Sequence, residues 1–283
     1  MAGSSGPISP REVAGAGRSV VLSDPFAALV ALPDVAEACK VARDEIDALL
    51  WDRRTRGRTA ELSMRSARLG ARESAAIEGA EVPIDQVLAG AGVDSSPVGA
   101  VLGAALRVTV EVPHQVAAWR TAPLQALAAL HLLAARDVLA VDDLGRPRSN
   151  DDADDPLHLG PAPSSSEATA RLDALARVLT LQTEAPALVV AAIAHAEIMA
   201  LRPFAWGSGL VARAAVRLVL ADRSVDPGNL VSPEHGFRTM GRASYVAALR
   251  AYMSGTQTGM SEWLVWHAGA VGFSAAEARV ALD

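Results

Sequence analysis

The residues of this 283-residue chain best suited to chemistry lie in the stretch 187–220, ALVVAAIAHAEIMALRPFAWGSGLVARAAVRLVL. An apolar helix is predicted to end near Leu201, because Pro203 lacks a backbone donor and restricts the residue before it. Gly207-Ser208-Gly209 then opens a second helix, with Ser208 as the expected N-cap, its hydroxyl accepting from a free backbone N–H. A helix N-terminus gathers such N–H groups and a partial positive charge, so the turn is a candidate anion site. Arg213, one turn in, could add a forked cation suited to phosphate. The same residues also describe an ordinary helix–loop–helix turn. Ser208 is no esterase nucleophile, since the elbow pattern needs glycine two residues to either side and Trp206 and Leu210 stand there.

The elements that must position this turn read as helices. Only 4% of the residues are aromatic, and alanine, leucine and arginine dominate, which favours helix over strand. Apolar residues recur at helical spacing over Phe26–Leu50, Thr59–Glu78, Val98–Trp119, Leu124–Leu139, Glu167–Leu181, Ala187–Leu201, Gly209–Ala221, Arg242–Met253 and Ser261–Gly272. The expected fold class is therefore all-α, with room for one short hairpin within 141–163. That irregular segment carries Asp142, Asp143, Asp151, Asp152, Asp154 and Asp155. It lacks the ligand spacing of an EF-hand, so no metal site is assigned and the aspartates read as a solvated acidic loop. Residues 1–24, rich in Gly, Ser and Pro, read as a flexible tail.

Composition removes several function classes. With 51% hydrophobic and 20% charged residues, the chain has the core-forming material that disordered proteins lack. Cys39 is alone, which excludes an internal disulfide and a cysteine-based zinc site. A net charge of −6 gives no basic footprint for nucleic acid. The longest apolar run is interrupted by Pro186, His195 and Glu197, so no membrane span is expected. The start of the chain lacks a basic-then-apolar signal pattern, and the expected location is the cytoplasm. His131 and His195 read as core histidines, and Trp263 and Trp266 as core packing.

Arg202-Pro203-Phe204-Ala205-Trp206-Gly207-Ser208-Gly209-Leu210-Val211-Ala212-Arg213 resembles the signature of the Fic (Fido) family: His-Pro-Phe, any residue, Asp/Glu, Gly, Asn, Gly, Arg, two of any kind, Arg. A second stretch, Ser74-Ala75-Ala76-Ile77-Glu78-Gly79, is similar to the inhibitory helix that one subgroup carries N-terminal to its core. The resemblance implies a Fic-like helical bundle, with an N-terminal helical layer over 25–120 and the core over 121–283. It also implies that Glu78 pairs with Arg213; family members transfer a nucleotide or other phosphate-bearing group, usually AMP from ATP, onto a protein hydroxyl. From spacing alone, Glu78 could equally be a solvated surface acid just before the helix terminator Gly79. Pro147-Arg148 and Gly160-Pro161 are candidate parts of the flap that aligns a target segment in such proteins.

The departures from that signature bear on function. Arg202 occupies the position of the histidine base, and an arginine with a pKa above about 12 cannot take a proton at neutral pH. Trp206 replaces the acid that would hold Mg²⁺, and Leu210 replaces one phosphate-clamping arginine. A positioned base alone contributes about 10² to 10⁴ in rate, and metal and clamp stabilise the transition state further. The expectation is a degenerate site with no catalytic residue, acting by binding. Arg202, Gly207, Ser208, Gly209 and Arg213 would contact ATP or another nucleotide without Mg²⁺, Ser74, Glu78 and Gly79 would regulate access, and no cofactor is required. A protein partner could dock on the 141–166 flap. The alternatives are a transferase with non-standard chemistry and a structural adaptor with an empty anion site.

Overall fold

The computed structural model describes residues 24–282; the tail assigned to 1–24 lies almost wholly outside them. Among the described residues twelve α-helices follow in order: α1 (Ala27–Val30), α2 (Val35–Leu50), α3 (Thr59–Ile77), α4 (Ile84–Leu88), α5 (Pro97–Thr121), α6 (Pro123–Ala135), α7 (Ser165–Leu179), α8 (Ala187–Leu201), α9 (Ser208–Asp222), α10 (Pro233–Thr239), α11 (Arg242–Met253) and α12 (Gln257–Val280). No strand occurs among the described residues, so the fold is all-α and the hairpin expected within 141–163 is absent. The backbone there bonds instead to the loop after α8: Arg148 N donates to Pro203 O (2.8 Å) and Asp154 N to Ala205 O (3.3 Å).

The centre is the pair α8 and α9. Every residue of α8 except Ala187 and Glu197 is buried, and every residue of α9 except Asp222. A helix apolar on all sides must be covered on all sides. The cover comes from α5, α6 and α3 against α9, and from α7, α11 and α12 against α8. The N-terminal α2 packs along the C-terminal α12, so early and late parts of the chain share one hydrophobic core. Gly272 permits that approach: a Cβ there would lie 2.8 Å from Ala42 Cα. Trp263 is fully buried in this core with its indole donating to Ala192 O (2.9 Å), while Trp266 is half-buried and donates to Ser244 Oγ (2.7 Å).

Several sequence expectations need correction. The single helix expected over Phe26–Leu50 is broken between α1 and α2, where Pro33 withholds a donor and Asp34 takes φ +61°. The helix from Leu124 stops at Ala135 rather than Leu139. The last helix extends from Gln257 to Val280, capped by Thr256 Oγ1 accepting from Gly259 N (3.1 Å). Its other end is held by arginines: Arg54 Nη2, Arg65 Nη1 and Arg58 Nη1 donate to the carbonyls of Arg279, Ala281 and Leu282, a favourable match to the negative end of a helix dipole. The short α4 and α10 escaped the sequence reading because each is too brief to show a period.

Polar contacts fix α3 against α9. Arg217 and Glu234 are both buried and joined by two bonds of 2.8 Å, and Arg217 also donates to Ser66 Oγ (3.1 Å) and Ser66 O (3.2 Å). Gly70 leaves room for that pair, since a Cβ there would lie 2.1 Å from Arg217 Nη2. Removing one partner of such a pair leaves a buried charge unmatched, whereas replacing both with apolar groups is often neutral. Chemical denaturation should therefore show Arg217→Met losing about 3–5 kcal/mol, with the double variant Arg217→Met/Glu234→Leu regaining most of it.

Candidate functional site

The site is assembled where the end of α3 meets the start of α9. α3 stops at Ile77 in a Schellman turn: Ala80 N donates to Ala75 O (2.9 Å) and Gly79 N to Ala76 O (3.0 Å), with Gly79 at φ +94°. That turn leaves Glu78 as the C-cap, with its side chain almost fully covered. Its carboxylate pairs with Arg213, which is wholly buried on α9. Arg213 Nε also donates to Ser74 Oγ (2.7 Å) and Nη2 to Ser74 O (3.3 Å), while Nη1 has no hydrogen-bond partner. Ser74 and Glu78 thus form one buried cluster with Arg213, more than a hundred positions away in sequence. The solvated alternative for Glu78 is excluded in this structure.

Glu78 also lies against the start of α9. A Cβ on Gly209 would lie 2.2 Å from Glu78 Oε1 and 3.2 Å from Arg213 Nη1, so only glycine lets the carboxylate rest against the first helical turn. The N-cap assignment to Ser208 is corrected. Gly207, at φ +75°, is the N-cap, and Ser208 is the first helical residue. The Ser208 hydroxyl turns back onto the loop, accepting from Phe204 N (3.1 Å) and donating to Phe204 O (3.2 Å). A hydroxyl spent on closing its own loop cannot also cap the helix.

Arg202 caps α8 in the left-handed region, at φ +43°, and is buried. Its guanidinium does not stand open for a ligand. Nη1 pairs with Asp155 Oδ2 (2.9 Å) and Nη2 donates to Gly160 O (2.6 Å), leaving only Nε without a partner. Asp155 in turn accepts from Leu159 N (2.9 Å) and Gly160 N (3.1 Å). Part of the acidic segment is thus folded onto the site rather than solvated. Arg148, also buried, completes the attachment by donating to the carbonyls of Arg202 (2.9 Å), Asn150 (2.7 Å) and Pro163. From sequence Arg148 stands out only as a flap candidate, one of two arginines flanking Pro147.

What remains of the hollow is small. Glu78, Asp154, Asp155, Arg202, Gly207, Ser208 and Gly209 line a cavity of about 10 Å³, near the space one water needs. Trp206 is half-buried and Leu210 buried; neither has an oxygen for a cation. Among the described residues, no group of three His, Cys, Asp or Glu side chains is arranged to hold a metal ion. Although Asp154 is exposed over much of its surface, desolvation of its carboxyl against the hollow, then the neighbouring charges of Glu78 and Asp155, push it above the usual carboxylate range.

No nearby histidine stands in as a base. Burial, with smaller contributions from His267 and Arg213, holds His195 well below the usual imidazole range, and its Nε2 is bonded to Tyr245 OH (2.7 Å). Burial brings His131 down to about 4 and His267 to about 3. His131 accepts from Gly145 N (3.0 Å) and stacks on Phe204 at 4.0 Å between ring centres. All three are neutral at physiological pH and serve packing.

No protein-family model matches the chain, and no curated protein matches it. Solved structures do. A Fic family protein from Desulfovibrio desulfuricans G20 superposes with a TM-score of 0.69 at 21% identity, covering 88% of this chain and 75% of that one. A fragment of Fic-1 from C. elegans gives 0.62 at 15% identity, over 88% and 74%. A Fic domain containing signaling protein from Bacteroides thetaiotaomicron VPI-5482 gives 0.57 at 15% identity, over 87% and 96%. The helical arrangement of this chain is accordingly the fold of Fic family proteins.

Proposed function

We propose that this chain is a Fic-fold pseudoenzyme that acts by binding and not by transferring AMP. The observation that carries this reading is the state of Arg202. The side chain in the place of the signature's base is a guanidinium tied to Asp155 and Gly160, unable to accept a proton and already committed to the flap. Trp206 in the metal-holding position and Leu210 in a clamp position point the same way. General base, metal and one cation are then missing together, and each contributes to transfer by lowering the energy of the charged transition state.

Between a nucleotide and a protein partner, the geometry favours the protein in the resting state. Both site guanidiniums are paired internally, three carboxylates face the hollow, and about 10 Å³ is far too little for a nucleotide. The flap carries exposed Asp142, Asp143, Asp151 and Asp152, a surface suited to a basic partner in the cytoplasm. A second reading, nucleotide binding without Mg²⁺ once Glu78 moves away, is supported by the unpartnered Arg213 Nη1 beside the start of α9.

Incubation with labelled ATP, Mg²⁺ and candidate target proteins is expected to give no transfer, for the parent chain and for Glu78→Gly alike. Label on a target hydroxyl that disappears in Arg202→Ala would overturn the proposal. In thermal-shift measurements the parent should not respond to ATP or GDP; a rise in Glu78→Gly that is the same with and without Mg²⁺ would establish the second reading. The closed site also has a pH signature. A carboxyl raised in the folded state favours folding at low pH and loses that contribution as pH climbs through its titration. Asp154→Asn should therefore melt at a higher temperature than the parent at pH 7, with the difference vanishing near pH 3.

A further inference from the structure

A second and larger hollow shares no residue with the site at Arg202. It is half-open, about 210 Å³, and lies where the end of α2, the first half of α3 and the end of α12 meet the segment leading into α10. Leu49, Leu62, Leu69, Leu230 and Leu282 form its walls. At its floor sit three buried hydroxyls, Ser66, Ser232 and Ser274, each no more than 4% exposed. Native cores leave few voids larger than a water molecule, and an apolar pocket with a few converging polar groups is the usual form of a small-molecule site.

The hydrogen bonds of the floor say what such a molecule must carry. Ser66 Oγ donates to Val231 O (2.9 Å), Ser232 Oγ to Ser66 O (2.9 Å), and Ser274 Oγ to Ser232 O. Each hydroxyl has one proton, and all three are spent inside the protein. Ser66 Oγ additionally accepts from Arg217 Nη1 (3.1 Å), so the buried Arg217–Glu234 pair beneath fixes its orientation. Ser232 and Ser274 retain lone pairs, so the three floor hydroxyls offer acceptors and no donors, and a carboxylate or phosphate finds no partner among them. At the rim Arg65 Nη1 donates to Ala281 O (2.8 Å), His235 Nδ1 lies 3.5 Å from Glu73 Oε1, and Glu277 adds a negative charge.

We infer that this hollow is a binding site for a small neutral molecule with an apolar body and one O–H donor, of the phenol or branched-alcohol class. Size agrees: an apolar cavity of about 150 Å³ accepts benzene, so this one has room for a ring and its substituents. The donor would reach Ser232 or Ser274, and the ring would fill the space between the leucines.

Calorimetric titration of the full chain with p-cresol tests this. The expected result is saturable binding with a raised melting temperature, and about three- to tenfold weaker binding of 4-methylanisole, in which a methyl group replaces the hydroxyl proton. The anion p-toluate should not bind. Ala278→Phe, placed to fill the hollow, should abolish p-cresol binding. Should that variant fail to fold, nuclear Overhauser contacts between p-cresol and the methyls of Leu49, Leu62 and Leu230 in the parent locate the ligand without it. Absence of saturable binding, equal affinity for 4-methylanisole, binding unchanged in Ala278→Phe, or no contact with those methyls would overturn the assignment.

Discussion

Two arginines on successive turns of one buried helix constrain much of this molecule. Arg213 and Arg217 lie where α9 is covered on every side, and an arginine cannot shed its charge to suit its surroundings. Carboxylates must therefore be brought to them. Glu78 arrives at Arg213 from the end of α3, and Glu234 reaches Arg217 from α10. Both pairs run along the same face of α3, through Ser66 and Gly70 at one end and Ser74 at the other. The helix is thereby fixed in position along its length, and its terminal acid is delivered to the first turn of α9.

That delivery has a chemical consequence. A helix N-terminus flanked by glycine attracts an anion, and here the anion is supplied by the chain itself. Any phosphate would have to displace Glu78 from the guanidinium, and would meet Asp154 and Asp155 on its way. On the other side, Arg202 is held in a fixed bond to the flap. The two contacts act in concert: one fills the hollow, and the other holds the segment that closes it. Arg148, bonded to three carbonyls, ties flap and loop into a single unit.

The floor of the second hollow belongs to the same polar seam. Ser66 is shared between the Arg217–Glu234 pair and the cavity lined by leucines, so α3 touches both hollows with one face, the serine at one end and the glutamate three turns on. Helix geometry makes this natural, because residues separated by whole turns recur on one side.

How much was legible beforehand follows from the range of each interaction. Residue type and spacing alone determined the helical class, the bounds of α8 and α11, the glycine turn before α9 and the helix stop at Gly79, because these depend on propensity and on neighbours within a turn or two. The pairing of Glu78 with Arg213 was suggested by resemblance, while spacing left it open. Only the tertiary structure decided what depends on groups distant in the chain: that Arg202 is spent on Asp155, that Ser208 closes its own loop instead of capping, that the acidic segment folds inward without a hairpin, and that three serine protons all point into the protein. A sequence states which charges and hydroxyls exist. Which of them are already satisfied is set by the packing of helices far apart along the chain, and that alone determines what a site can still bind.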